Sequence, residues 1–457
     1  MATVGEGHEE SGFRIFPAFD SHHPPAQELV DDCVHCGFCL PMCPTYVLWG
    51  EEMDSPRGRV YLMNEALEGE PLTDSMVRHW DLCLGCLSCV TACPSGVQYG
   101  RLLESTRQQV ERRYPRAWHD RLFRGLIFSL FPYPSRLRLV SSVLGPYQKY
   151  RLNRVAHRSG LLRLLPAPLQ AMEALMPDLK LGVWRKPIPP VTPARGVRRA
   201  RVGMLTGCVQ RAFFGQVNAA TVRVLAAEGG EVIAPPAQGC CGALSVHAGR
   251  EEEALRFARR TIDTFEAADV EYVILNSAGC GSTMKEYDYL LRDDPEYAER
   301  AREFVKKVRD VNEFIQEMGP IATRHPLPVT VAYHDACHLA HGQGIRKQPR
   351  AGLAAIPGLQ LREIRESEIC CGSAGIYNLV EPQPAAELGQ RKARHVLATG
   401  ADLLVASNPG CTVQIAASLQ RAGQDLPMAH PIEVIDASIR GESVQSLLRR
   451  KGPRQAG

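Results

Sequence analysis

The 457-residue chain has no apolar run long enough to cross a bilayer. Its longest, such as Leu126-Ile127-Phe128-Ser129-Leu130-Phe131, falls far short of the roughly 20 residues a span requires. Residues 1–30 also lack the apolar stretch of roughly 7 to 15 residues behind a basic start that marks a secretory leader. The expectation is a cytoplasmic protein, with peripheral contact on the cytoplasmic face of the inner membrane left open. No Gly-x-Gly-x-x-Gly follows a strand-like run and no phosphate loop occurs, so no nucleotide or flavin site is evident. A cofactor that handles hydride would then lie on another chain. A marked excess of either charge is missing too: 53 Lys and Arg against 50 Asp and Glu give a net charge of +3. With 45% hydrophobic residues, the chain is neither disordered nor collagen-like. Its length suits two or three domains better than one core.

Cysteine, by contrast, is abundant. Sixteen cysteines in a protein expected inside the cell argue for metal ligation or redox chemistry over structural disulfides. Eight lie between Cys33 and Cys93. Residues 33–44 read C-x2-C-x2-C-x3-C-P through Cys33, Cys36, Cys39, Cys43 and Pro44, and residues 83–94 repeat it through Cys83, Cys86, Cys89, Cys93 and Pro94. Three closely spaced cysteines let one loop hold three irons of a cubane, and the fourth, carried into the following helix, ligates the other cluster. Crossed ligation predicts two [4Fe–4S] clusters, one on Cys33, Cys36, Cys39 and Cys93, the other on Cys83, Cys86, Cys89 and Cys43. A zinc ribbon has no use for the third and fourth cysteine of each run. Between the runs, Asp54-Ser55-Pro56 is helix-start chemistry. Arg57 and Arg59 beyond it would either stabilise a reduced cluster or pin the loop.

Residues 101–200 hold 20 Lys or Arg against 5 Asp or Glu, a local basic bias within a near-neutral chain. Over 116–145 the arginines interleave with Leu, Ile, Phe and Val, as in amphipathic helices that pack on a core or meet a membrane surface. No nucleic-acid recognition motif accompanies the charge. Lys186 to Arg201, rich in proline, reads as a linker.

The other eight cysteines form an internal duplication. One copy has Cys208, Cys240, Cys241 and Cys280; the other has Cys337, Cys370, Cys371 and Cys411. The intervals are 32 and 39 residues in the first and 33 and 40 in the second. β-rich runs precede Cys208, Cys280, Cys337 and Cys411 and helical stretches follow, which predicts parallel α/β units with the cysteines at the carboxyl ends of strands. Gly242 and Gly372 would permit a tight turn or a close backbone approach after each Cys-Cys pair. Each set could be a further iron–sulfur site, a thiol redox site or buried structural cysteines. His334, His338 and His341 surround Cys337. No histidine stands around Cys208, so if the copies share one job the histidines are not essential ligands.

The predicted fold is a multidomain α+β and α/β chain: a tail (1–30), an α-helical ferredoxin-type module for two [4Fe–4S] clusters (31–105), a basic helical region and linker (106–200), two cysteine-rich repeats (201–325 and 326–440) and a basic tail (441–457).

The paired C-x2-C-x2-C-x3-C-P runs followed by two CCG repeats resemble the iron–sulfur subunit of bacterial glycolate oxidase. The resemblance extends from Asp31 to about Asp436 and is closest at Asp32-Cys-Val-His-Cys-Gly-Phe-Cys, Ser-Pro-Arg-Gly-Arg and Cys93-Pro-Ser-Gly-Val-Gln-Tyr-Gly-Arg101. It implies a flavin-containing dehydrogenase partner that oxidises a small 2-hydroxy acid, with this chain passing electrons to a quinone or other acceptor and carrying no flavin. The small subunit of anaerobic glycerol-3-phosphate dehydrogenase, lactate-oxidising complexes and heterodisulfide reductase subunits share the architecture. A C-x2-C pair closes each full CCG repeat, but here Gly-Ser-Thr283 follows Cys280 and Thr-Val-Gln414 follows Cys411. That departure disfavours the noncubane clusters of heterodisulfide reductases.

Overall fold

The computed structural model describes residues 17–150, 152, 155–156, 159–176 and 188–449. The chain divides into two units, one reaching Arg121 and including Ser245–Glu251, the other made of the remainder.

Among its described residues the first unit is built of short helices, with one isolated bridge between Pro17 and Pro71. Helix Pro56–Leu67 starts as the sequence predicts: Pro56 occupies the first turn and the Ser55 side chain accepts from the Gly58 amide, satisfying a donor the helix itself cannot. Thr73 does the same for helix Asp74–Asp81. Helix Tyr99–Arg113 completes a core around Trp80, Val60, Met63, Leu102 and Leu103, all buried. One expectation fails. The fourth cysteines are not inside the following helices: Cys43 is the residue before helix Pro44–Trp49, and Cys93 is the residue after helix Ser88–Ala92. Pro44 fixes the first helical residue without needing a donor there, so the preceding cysteine keeps extended backbone and a freely directed side chain.

The second unit carries two sheets. The first contains β1 (Val191–Thr192), β2 (Ala200–Met204), β3 (Gly230–Ile233), β4 (Tyr272–Leu275) and β5 (Val308–Asp310) in the order β1-β3-β2-β4-β5. The second contains β6 (Thr330–His334), β7 (Gln360–Glu363), β8 (Leu403–Ala406) and β9 (Met428–Ala429) in the order β7-β6-β8-β9. Without β1 the two orders are the same, which is the duplication seen in the cysteines. All pairings are parallel except β1 with β3. β1 corrects the linker reading: part of the proline-rich stretch adds an antiparallel edge strand, and the rest of it before Ile188 lies outside the described residues. The basic region does form helices, Trp118–Leu130 and Pro134–Lys149. The first buries Ile127 and Phe128 while Leu122 and Leu126 stay exposed. No helix among the described residues is long and apolar enough to cross a membrane.

The repeats pack through equivalent faces. Helix Gly215–Ala227 lies on Pro431–Ile439, and helix Val311–Met318 lies on Lys347–Ala354, so the longer helix between the first two strands of each repeat lies on the helix after the fourth strand of the other, as in an isologous dimer. Capping boxes at Asp310/Glu313 and His430/Glu433 start the helices that follow the two fourth strands. One apolar core serves both, with Val202, Met204 and Phe314 from one repeat and Val331, Tyr333 and Ile432 from the other. Across this junction Arg223 grips the Asp436 carboxylate with Nε at 2.9 Å and a terminal nitrogen at 2.6 Å. Asp436 is 1% exposed, and its other cation, Arg440, stands at 3.7 Å. Removing one partner of such a pair leaves a buried charge uncompensated. Arg223→Met should therefore lower stability by about 2–4 kcal/mol, read as a lower urea midpoint at unchanged slope; an unmoved midpoint would refute the role given to this pair.

Candidate metal centre

In the first unit the two cysteine loops share a backbone signature. Left-handed residues stand at matching places, His35 (φ 52°) and Gly37 (φ 87°) in one loop, Gly85 (φ 61°) and Leu87 (φ 64°) in the other. Alternating hands turn successive amides toward one side, which makes a concavity suited to an anion. Leu87 and His35 adopt a conformation costly for a side-chain-bearing residue, and its recurrence in both loops ties it to the cradle. Within the cradles the Gly85 amide donates to Cys83 Sγ (3.4 Å) and the Tyr99 hydroxyl donates to the same sulfur (3.5 Å). No cysteine is in a disulfide.

Arg59 is buried at 0% exposure between the two runs. It donates to the His79 carbonyl (2.6 Å), to Thr45 Oγ1 (3.1 Å) and to Asp54 Oδ1 (3.3 Å), and its guanidinium lies 3.9 Å from Cys43 Sγ. Although burial opposes its charge, the surrounding Cys83, Tyr99, Cys43 and Asp54 hold it firmly protonated. Cys83 shows the reciprocal effect: burial pushes its thiol up, but Arg59 and Arg107 outweigh burial and pull it below its ordinary value. Burial pushes Cys39 up to about 11 and Cys89 well up. Anions crowded in such a place require a cation. Arg57, the other arginine singled out by sequence, has a different task. It pairs with Glu52 at 2.6 Å and donates to the His35 carbonyl at 2.9 Å, pinning the first loop.

The cradles differ in access. Cys43, Cys83, Cys86 and Cys89 are buried, whereas Cys36 is exposed and flanked by exposed Val34 and Phe38.

In the second unit the CCG cysteines gather at the carboxyl ends of strands, on both sides of the crevice between the first and third strands of each repeat, where open parallel sheets place their sites. Cys208 follows β2, Cys240 and Cys241 lie in the segment after β3, and Cys280 is in helix Ala278–Met284 after β4. Cys208 Sγ is 3.5 Å from Cys240 Sγ. Contacts with Cys240 and Cys280 lower the Cys241 thiol well below its ordinary value, while Cys240 is raised by Cys208 and then by Cys241, and Cys280 by Cys241 and by burial. The second repeat repeats this chain of contacts, Cys337 with Cys370, Cys370 with Cys371, and Cys371 with Cys411. Gly242 (φ 83°) and Gly372 (φ 88°) are left-handed as the sequence suggests, and a Cβ at Gly372 would stand 2.6 Å from the Ala385 carbonyl oxygen.

Two further residues enter the second set. His334, 1% exposed at the end of β6, has neither ring nitrogen hydrogen-bonded, and burial lowers it to about 3, so it is a neutral imidazole. Lys392, 2% exposed, donates to the carbonyls of Glu366 (2.6 Å) and Ser367 (3.3 Å); burial lowers it below its ordinary value, and the Cys371, Cys370 and Cys411 thiols partly offset that by favouring its charge. Sequence spacing gave no reason to single out Lys392. It lies in a helix 21 residues beyond the Cys-Cys pair, a separation only the packing of Pro382–Leu397 closes. The other two histidines have different partners: His338 Nδ1 meets Cys337 Sγ at 3.5 Å, at the first thiol of the set, and His341 meets Arg346 at 2.9 Å.

With these thiol sets in place, comparison with known proteins is decisive. The 4Fe-4S dicluster domain family matches residues 29–97, the cysteine-rich domain family matches 202–285 and 331–416, and the linker region of the glycolate oxidase iron–sulfur subunit matches 119–176. A probable glycolate oxidase iron–sulfur subunit of Bacillus subtilis is 40% identical over 86% of this chain and 89% of its own length. The glycolate oxidase iron–sulfur subunit of Escherichia coli is 33% identical over 91% of this chain and 96% of its own. The chain belongs to the glycolate oxidase iron–sulfur subunit family. Lactate utilization protein A of Halalkalibacterium halodurans is 32% identical over 52% of this chain and 96% of its own length. A crystal structure of a hypothetical protein from Helicobacter pylori shares the fold, with a TM-score of 0.54 at 11% identity over 88% of this chain and 71% of that one.

The free thiols, the amide cradles and the buried Arg59 fit iron–sulfur clusters, as the family requires. A fixed cation near a cluster favours its more negative, reduced state. Arg59→Leu should lower the reduction potential of the cluster beside it by roughly 50–150 mV, the scale of one charge at about 5 Å in an effective dielectric near 20. Arg59→Lys should recover much of that loss in an electron paramagnetic resonance redox titration. Equal potentials in Arg59→Leu and the parent would refute the assignment.

Proposed function

We propose that this chain is the electron-transfer subunit of a 2-hydroxy-acid dehydrogenase complex of the glycolate type, set between a flavin-containing partner that oxidises substrate and a quinone or other respiratory acceptor. When bound, two [4Fe–4S] clusters supply the one-electron steps between a two-electron flavin and the acceptor. The observation that carries the reading is the pair of unequal cradles in one small helical unit, one enclosed around Cys83, Cys86 and Cys89, the other opening to the surface at Cys36.

Cys33, Cys36, Cys39 and Cys93 form one ligand set, and Cys83, Cys86, Cys89 and Cys43 the other. The spacing of the two runs, with the fourth cysteine of each displaced from the first three, supports the crossed sharing. Arg59 balances charge at Cys43 and Cys83, while Arg57 holds the loop of the exposed set. Val34 and Phe38, exposed beside Cys36, offer a face where a partner can approach the open cradle without passing through protein. The cysteines of the two CCG repeats are read as additional metal-ligating sets. The chain itself holds no flavin and performs no acid–base step on substrate. Leu122, Leu126 and Leu139, exposed on the basic helices, suit peripheral contact with a membrane.

One observation favours a second reading. Cys241, drawn down by two thiol donors, is poised as a thiolate, as an oxidoreductase of the CCG type would need. Cys241→Ser tests it: full turnover of the complex would sink the catalytic CCG reading.

The chain purified anaerobically with its partner should carry about eight irons in its N-terminal module. Glycolate or lactate added to that complex should reduce these clusters within the turnover time, seen by freeze-quench electron paramagnetic resonance. Clusters that stay oxidised under every 2-hydroxy acid tried would refute the proposal.

A further inference from the structure

The repeats share a fold and a thiol pattern, but their sites are not chemically equivalent. In the second repeat His334, Cys371 and Cys411 bring one ligand atom each within 4.8 Å of one another, all three residues buried. Among the described residues the first repeat forms no such trio. Three residues before the first cysteine of each set, Leu205 stands in one copy and His334 in the other; Leu205 packs into an apolar cluster with Ile233 and Leu275. A histidine buried this deeply with both nitrogens unpaired forfeits its hydrogen bonds, a cost the fold could avoid with leucine, as the first repeat does.

We propose that the second repeat binds a single zinc-class ion through His334, Cys371, Cys411 and Cys370, making it a closed structural site. The inference rests on the reading that the CCG cysteines ligate metal, and it specifies which metal and which ligands for one copy. A tetrahedral ion with bonds of about 2.3 Å to sulfur and 2.0–2.1 Å to nitrogen sets its ligand atoms roughly 3.5–3.8 Å apart, and the trio, within 4.8 Å of one another, needs at most a small contraction to reach that. Cys370, which touches Cys371 but stands outside the 4.8 Å group, completes the set by turning its thiol toward the trio when the ion binds. Charge supports the same assignment. A divalent ion with three thiolates and a neutral imidazole carries one net negative charge, and Lys392 is the buried cation beside it. Lys392 has no cationic counterpart in the first repeat: counted from the alanine whose carbonyl faces the CCG glycine, Ala385 in one copy and Ala254 in the other, the matching residue is Thr261.

The consequence is a division of labour. Zinc has no redox chemistry, so the second site ties β6, the segment after β7 and helix Pro409–Arg421 together, and only the all-thiolate first repeat remains available for electrons. The full chain, purified anaerobically from cells supplied with both iron and zinc, tests this. One zinc per chain is expected, with one nitrogen and three sulfur scatterers at the zinc absorption edge. His334→Ala should lose that zinc at least tenfold faster to a chelator than the parent while the signals of the N-terminal clusters stay unchanged. His334→Cys should retain it with four sulfurs, which guards against a variant that merely misfolds. Zinc absent and iron above eight per chain would overturn the single-ion site while leaving the CCG metal reading standing. No metal beyond eight irons would overturn both. Zinc kept in His334→Ala with an unchanged coordination shell would remove the histidine from the ligand set.

Discussion

A buried thiolate must face positive charge or oriented donors, and almost every unusual feature of this protein follows from gathering sixteen thiols under that constraint. A carboxylate or thiolate left alone in a protein interior neutralises itself by taking a proton, as Cys89 does when burial drives it upward. The chain counters this locally. Amides turn inward at left-handed residues around Cys36 and Cys86, Arg59 is enclosed beside Cys43 and Cys83, and Lys392 lies by the second CCG set. Metal supplies the rest of the compensation.

The two units meet the constraint by different means. In the ferredoxin-type module the loops themselves bend to present donors, and short helices only brace them through Trp80 and its neighbours. In the CCG repeats the backbone is regular and the sheet does the positioning. Parallel strands end together, so residues far apart in sequence, such as Cys208 and Cys280, arrive at one edge. Duplication then yields two sites from one plan, and the shared core with the Arg223–Asp436 pair holds the copies in one body. Once the scaffold exists twice, substitutions at a few positions can give each copy its own chemistry, as Leu205 against His334 and Thr261 against Lys392 illustrate.

Much of this was legible in the residues. Cysteine spacing is a local property, since a cubane or a CCG turn needs its ligands at fixed short intervals, and the double C-x2-C-x2-C-x3-C-P run and the 32/39 and 33/40 intervals carried the family and the repeats directly. Ser55-Pro56 announced its helix because capping is settled within four residues. Two boundaries were misread for an equally physical reason. Cys43 and Cys93 sit at helix ends, where proline and the cap decide the last residue, and the proline-rich stretch before Arg201 became an edge strand because β3 offered it an unpaired side.

What the sequence determined by itself was therefore the chemistry available: soft thiolate donors, their grouping into sets, the duplication and the family. Only the tertiary structure decided what surrounds those donors. It split the tasks of Arg57 and Arg59, which are two residues apart and indistinguishable by pattern, because one reaches Glu52 near the surface and the other is enclosed between cysteines. It turned His334 from one of three histidines near a cysteine into the one whose ring is buried, unpaired and within reach of two thiols. Electrostatics and ligand geometry depend on distance through space, and distance through space is what the order of residues along a chain leaves open.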